Sequence, residues 1–310
     1  MSVNILKCSN LSKTYGHFKA LDGINLTLQG GHIYGLVGNN GAGKTTLMRL
    51  IMGLTFPTKG QIELFGESSP RKLIANRKRI GALIENPIYT GTISGKKNLE
   101  LLCDLYGIKD PKAVDDVLEQ LNLTHKADTA VRHYSLGMKQ RLGLAGALLG
   151  QPDFLILDEP TNGLDPSGIR EIRETLLSLH QQRGIPMLIS SHYLSELNLL
   201  ATDYIILHQG KVIHQFTQEE LTQHCKSYIV LELESIEKIE DAINTLKQAY
   251  PNIDLILMPN HEIHIYDFIN SLHSIPGPLA LAGIEIKKLD TVGTTFEEYF
   301  AMLIGGEKNA

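Results

Sequence analysis

Four short runs in the first two thirds of the chain are apolar at nearly every position: Ile33-Tyr34-Gly35-Leu36-Val37, Phe154-Leu155-Ile156-Leu157, Pro186-Met187-Leu188-Ile189 and Tyr204-Ile205-Ile206-Leu207. A strand with one solvated face alternates between apolar and polar. A run without alternation predicts a strand covered on both faces, as in a parallel sheet. Between these runs, residues 44–52, 167–182 and 193–201 have helical patterning. Strand then helix, repeated, predicts an α/β fold. Residues 87–150 break the rhythm. Asn98-Leu99-Glu100-Leu101-Leu102 and residues 114–121 keep apolar spacing without strand runs, which predicts a helical insertion in the sheet domain.

After residue 225 the pattern changes. Residues 228–233, 253–257, 262–266 and 283–288 read as strands, and 236–249 and 267–273 as helices. The order βαββαβ predicts a small α+β domain of ferredoxin-like form, closed by a last helix over 295–303. Charge shifts at the same place. From Lys226 to Ala310 there are six basic and thirteen acidic residues, a net of −7, whereas residues 1–225 carry +2. The expectation is two domains, 1–225 and 226–310, in keeping with 310 residues at about 150 per domain.

Composition narrows the classes. With 43% hydrophobic and 20% charged residues the chain is neither disordered nor low-complexity. Its net charge of −5 offers no overall field for nucleic acid. No apolar run approaches the roughly 18 residues of a membrane helix, and no basic-then-apolar leader opens the sequence. A cytoplasmic protein is expected, held at a membrane only through a partner. Cys8, Cys103 and Cys225 are scattered and read as free thiols.

The chemistry begins after the first apolar run. Gly38-Asn39-Asn40-Gly41-Ala42-Gly43-Lys44-Thr45 fits G-x-x-x-x-G-K-[ST], between a predicted strand and a predicted helix. Glycines let backbone N–H groups curl around phosphate, and the helix N-terminus adds positive potential. Lys44 is the candidate for the β- and γ-phosphates, Thr45 for Mg²⁺, and Thr46 extends the loop. Asp158 and Glu159 end the second apolar run, at the sheet edge where ligands of open α/β sheets bind. Asp158 is a candidate for the metal. Glu159 is a candidate general base, a role that typically supplies about 10²–10⁴-fold.

Further motifs select among phosphate-loop proteins. Tyr15 precedes the loop, Tyr134-Ser135-Leu136-Gly137-Met138-Lys139-Gln140-Arg141 precedes the carboxylates, Asp165 follows them, and Ser190-Ser191-His192 follows the third run. In this order the chain resembles the ATP-binding subunit of ABC transporters over at least residues 3–220. The resemblance implies ATP and Mg²⁺ as ligands, Tyr15 stacked on adenine, and His192 at the γ-phosphate. It implies Asp165 at a dimer seam, and Ser135 and Gly137 reaching nucleotide held by a second copy. It also implies a separate integral membrane permease.

Two departures stand out. Leu136 replaces the first glycine and Met138 the glutamine of the usual L-S-G-G-Q. Glu85 stands after Ile80-Gly81-Ala82-Leu83-Ile84, where the family normally has glutamine. A carboxylate is a harder Mg²⁺ ligand than an amide. Glu85 together with S-L-G-M-K-Q-R resembles the bacitracin and lantibiotic export subgroup, as does the ending Phe296-Glu297-Glu298-Tyr299-Phe300. That implies resistance by export of an antimicrobial peptide. The alternatives are export of another substrate (drug, lipid or ion) and a non-transport ABC ATPase in translation or DNA repair. A single phosphate loop and the short 114-position interval from Lys44 to Asp158, without heptads, weigh against the latter. No N-K-x-D guanine motif is present. The basic residues Arg71, Lys72, Arg77, Lys78 and Arg79 read as a solvated helix face. His261 and His264 fall on one expected strand, at a spacing that points them to opposite faces.

Overall fold

The computed structural model describes residues 4–85, 89–191, 193–225, 227–259, 261–293 and 295–305. Backbone contacts divide the chain into two units, Met1–Gln218 and Glu219–Ala310.

The first unit opens with a hairpin, β1 (Asn4–Tyr15) and β2 (Phe18–Gln29), then β3 (Ile33–Val37), helix α1 (Lys44–Ile51), β4 (Lys59–Leu64), α2 (Pro70–Arg77) and β5 (Ile80–Leu83). A helical stretch follows: α3 (Gly95–Tyr106), α4 (Ala113–Gln120) and α5 (Leu136–Leu148). The unit continues with β6 (Phe154–Asp158), α6 (Pro166–Arg183), β7 (Met187–Ser190), α7 (Leu194–Asn198), β8 (Asp203–His208) and β9 (Lys211–Thr217).

Six strands form one sheet in the order β5-β6-β7-β3-β8-β9, parallel except for β9. Every residue of β3 and β6 is buried. A second sheet, β2-β1-β4, is antiparallel. Leu47, Met48, Leu50 and Ile51 of α1 belong to a core shared by both sheets, with Leu6, Leu21 and Ile62 on one side and Leu36, Ile156 and Ile205 on the other. A helix packed between two sheets is fixed in position by that packing. This places its N-terminus, and the loop before it, at the C-terminal edge of the parallel strands.

The helices expected within 87–150 are present. Asn98, buried in α3, accepts from Thr90 N–H at 2.9 Å and donates to Thr90 and Ser94 carbonyls. It thereby anchors the segment that leads from β5 into the helices. The basic residues around α2 divide in two. Arg71 and Lys72 are exposed, whereas Arg77 Nε donates to Ile51 O at 2.8 Å, and Arg79 lies 3.9 Å over the Phe65 ring and pairs with Asp153. Lys78 and Arg79 are exposed as well, so a solvated face describes all of that run except the half-buried Arg77.

The second unit comprises α8 (Gln218–His224), which straddles the division, then β10 (Tyr228–Leu233), α9 (Ile239–Ala249), β11 (Leu255–Leu257), β12 (Ile263–Ile265), α10 (Pro276–Leu281), β13 (Ile286–Val292) and α11 (Phe296–Gly305). Its sheet, β11-β12-β10-β13, is antiparallel throughout. That is the split βαβ arrangement of the ferredoxin-like fold. Ile229, Leu231, Ile263 and Ile265 pack against Ala242 and Leu246 of α9 and Leu279 of α10. Two details differ from the sequence expectation. The helix expected over 267–273 is a 3₁₀ turn, Ile269–Ser274, and α10 follows it. Pro276 opens that helix at a position where a missing N–H costs nothing. His261 is not on a strand: it lies ahead of β12 at φ 69, while His264 stacks on Tyr228 at 4.3 Å. No helix among the described residues is long and apolar enough to cross a membrane.

Candidate functional site

The loop from Gly38 to Gly43 connects β3 to α1. Gly43 stands at the α1 N-cap with φ 112, and a methyl group there would lie 2.7 Å from Leu21 Cδ2 and 2.8 Å from Ala20 O. Only glycine meets both demands. The Ala42 N–H closes a turn onto Asn39 O at 3.0 Å, so Asn39, Asn40 and Gly41 form a tight arch.

Lys44 is the first residue of α1 and is only 6% exposed. Its ammonium donates to Gly38 O at 2.6 Å and stands 3.9 Å from Glu159 Oε1. Burial pushes its pKa below the ordinary lysine value, while Glu159 and Asp158 push it back up. The ammonium is thus folded back over its own loop, in the curl where a phosphate fits.

Thr45 Oγ1 donates to Asp158 Oδ2 at 2.7 Å. Asp158 ends β6 and is opposite Ser190 in the β6–β7 register. Ser190, fully buried, donates from its hydroxyl to Asp158 Oδ1 at 2.6 Å and accepts from Glu159 N–H at 2.9 Å. One hydroxyl therefore fixes both carboxylate residues. Glu159 sits at φ 48, where the chain turns sharply off the strand. Within Ser190-Ser191-His192 the sequence gives Ser190 no role of its own, because that role depends on which strand neighbours β6.

Glu85 follows β5, a neighbour of β6 in the same sheet. Its carboxylate pairs with Arg49 on α1, one turn beyond Thr45, and this contact holds the guanidinium pKa up. Thr45 and Asp158 thus meet at the end of the loop from two elements, while Glu85 is held by Arg49. Oxygen donors of this kind suit Mg²⁺. Tyr15 ends β1, is 43% exposed, and carries the Lys13 ammonium 4.7 Å from its ring centroid. Thr46 continues α1. His192 lies outside the described residues, as do Asn86 and Pro87.

Ser135 caps α5, accepting from Met138 N–H at 3.2 Å, and Asp165 caps α6, accepting from Gly168 N–H at 3.3 Å. Ser167 and Gly168 hold the Asp165 pKa below the usual carboxylate value. Ser135, Gly137 and Asp165 line a common cavity of about 330 Å³ between the two helix starts. The two groups of residues are therefore distinct. The loop and carboxylates form one cluster, and the α5 and α6 starts form another surface.

A glycine-rich arch that carries a buried strand into a helix, with a lysine and a Thr–Asp pair at its end, defines a phosphate-loop nucleotide-binding ATPase. The family model described as ABC transporter matches residues 21–162. The chain is 38% identical over 302 residues to the bacitracin transport ATP-binding protein BcrA of Bacillus licheniformis, spanning 97% of this chain and 98% of that one. It is 39% identical over 209 residues to the lantibiotic transport ATP-binding protein SrtF of Streptococcus pyogenes, spanning 67% and 89% respectively. The solved structure of cbiO1 from Clostridium perfringens, part of an ABC transporter complex, superposes with a TM-score of 0.64 at 27% identity, over 80% of this chain and 96% of that one. The chain belongs to the ABC transporter family as an ATP-binding subunit, and it is an ATPase.

Proposed function

We propose that two copies of this chain close head to tail on ATP, and that this closure drives export of a bacitracin- or lantibiotic-type peptide through a separate membrane permease. The observation that carries the substrate class is the 38% identity to a bacitracin transport protein over 302 residues, which takes in the second unit as well as the cassette. The two-copy arrangement is supported by the split geometry. Ser135, Gly137 and Asp165 border a cavity to which the phosphate loop contributes no residue, so each half lacks what the other displays.

In this reading the arch 38–43 and Lys44 bind the phosphates, and Tyr15 offers an aromatic face to the base. Thr45 and Asp158 would hold Mg²⁺, and Glu85 is assigned to join them on leaving Arg49. The metal supplies charge neutralisation on the phosphate oxygens. Glu159, its N–H pinned by Ser190, takes a proton from the attacking water. His192 is assigned to the γ-phosphate side. Ser135, Gly137 and Asp165 of one copy address the nucleotide of the other. The permease docks beside the helical stretch, where Leu101, Leu105 and Tyr106 of α3 are exposed. The chain then resides on the inner face of the membrane, with no role for nucleic acid.

The deciding experiment is Glu159→Gln in the full chain. It should bind ATP, lose hydrolysis by at least about 10²-fold, and sediment as a dimer with ATP. Unchanged turnover removes Glu159 from its role. Expression with the permease should protect a sensitive cell against bacitracin or a lantibiotic. Protection against a non-peptide drug alone would overturn the substrate class.

A further inference from the structure

We propose that Leu136, the residue standing where the family signature carries glycine, is a positioning residue that locks the signature segment onto the loop bearing Glu159. The proposal rests on the two-copy reading above.

Leu136 opens α5 directly after its cap, Ser135, and is 51% exposed. Its side chain does not simply point to water. A methyl group built on Gly163 would lie 2.9 Å from Leu136 Cδ2, so the leucine occupies the space a side chain at 163 would need. Gly163 has φ 74, a conformation that also favours glycine. The relationship is reciprocal. A methyl on Gly137 would lie 3.7 Å from Leu164 Cδ2, an ordinary contact. Two leucines, one from each segment, thus cover the glycine of the other. Behind them, Arg141 of α5 pairs with Glu171 of α6 at 2.6 Å.

The loop transmits this lock to the carboxylate. Asn162 N–H bonds Glu159 O at 3.1 Å, and Leu164 N–H bonds Thr161 O at 3.3 Å. Two overlapping turns leave little slack between Glu159 and Leu164. In a head-to-tail pair, the signature segment reads the partner's nucleotide while Glu159 serves its own. Leu136 therefore makes the two move as one body, because close-packed contacts shift together or not at all. With glycine at this position the Gly163 side of the interlock would be empty.

The test is ATP hydrolysis by the full chain in Leu136→Gly, Leu136→Met, Gly163→Ala and the double variant Leu136→Gly/Gly163→Ala, each with its thermal midpoint. Leu136→Gly should lower kcat about tenfold and bring the Hill coefficient for ATP from about two toward one. Leu136→Met, of similar volume, should restore both to within about twofold. Gly163→Ala should be about tenfold more damaging to kcat in the parent than in the Leu136→Gly background, since the clash is then gone. A purely structural role would instead lower the thermal midpoint with the Hill coefficient unchanged, and that result overturns the proposal. So does additivity of the two substitutions in a chain whose Glu159→Gln variant still dimerises on ATP. Failure of Glu159→Gln to dimerise removes the two-copy reading itself, and the proposal with it.

Discussion

Thr45 Oγ1 and Asp158 Oδ2 are 2.7 Å apart although 113 positions separate the residues. The burial of α1 in the core that it shares with β6 creates this contact, so the pair is a product of packing. Thr45→Val keeps the shape and removes the hydroxyl. It should cost about 1 kcal/mol of stability. The Mg²⁺ concentration for half-maximal ATP hydrolysis should rise by about tenfold or more. An unchanged Mg²⁺ titration at saturating ATP would take Thr45 out of the metal site.

Ser190→Ala removes the one hydroxyl that serves both Asp158 and Glu159. Asp158 Oδ1 would lose its donor in a buried setting, at a cost of about 1–3 kcal/mol. The expected result is a fall in kcat of at least tenfold (roughly 1.4 kcal/mol), with the KM for ATP changed far less, because neither atom holds the arch. A rise in KM at constant kcat would place Ser190 in nucleotide binding instead.

The parallel strands were legible because burial on both faces leaves unbroken apolar runs, as in Phe154-Leu155-Ile156-Leu157. The antiparallel sheet was not. In β1, bulges shift the register between Cys8 and Lys13, so alternation fails along that strand, and only the second half of β2, Ile24 to Gln29, alternates cleanly. The phosphate loop was legible because its chemistry is contiguous in sequence. Ser190 was hidden because only the register of β7 against β6 brings its hydroxyl to Asp158. The Glu85–Arg49 pair was hidden for the same reason, with its partners on a strand end and a helix that meet only in three dimensions. α10 was masked by Pro276-Gly277-Pro278, which reads as a breaker until Pro276 is placed at a helix start.

Lys44 carries a buried charge whose benefit arrives only with phosphate. Its folded-state pKa lies below the ordinary lysine value, through burial first of all. Between the folded and ordinary values the unfolded chain holds the proton more tightly, so stability rises with pH across that window. Below it the buried ammonium is a standing cost. Lys44→Met should therefore flatten the rise in stability as pH climbs toward the lysine range, without lowering the thermal midpoint at neutral pH. ATP at about 100 times its dissociation constant should stabilise the parent by about 2.7 kcal/mol, an upward shift of roughly 5–10 °C. In Lys44→Met that shift should vanish. A normal shift in the variant would contradict the assignment.

Glu85→Gln installs the residue the family usually carries. The Glu85–Arg49 pair is about half exposed, so its loss should change stability by at most about 1 kcal/mol. If Glu85 leaves Arg49 to hold Mg²⁺ during turnover, Glu85→Gln should weaken the Mg²⁺ dependence of hydrolysis while Arg49→Met leaves it intact. Equal effects of the two substitutions would confine Glu85 to the ion pair.

Leu101 and Leu105 are one helical turn apart on α3 and are 47% and 76% exposed, while Leu99 and Cys103 of the same helix are buried. An apolar pair left in water on the open side of a helix calls for a cover. A permease segment is the occupant the proposed function supplies, because the chain that leads into α3 starts beside Glu85. Leu101→Asp with Leu105→Asp replaces exposed side chains, so folding and ATP hydrolysis by the isolated chain should stay within about twofold of the parent. Charges in an apolar contact are costly to desolvate. Co-purification with the permease from detergent should therefore be lost, together with stimulation of hydrolysis by it. Retention of both would move the docking surface off this face of α3, even if the rest of the nucleotide site behaves as described.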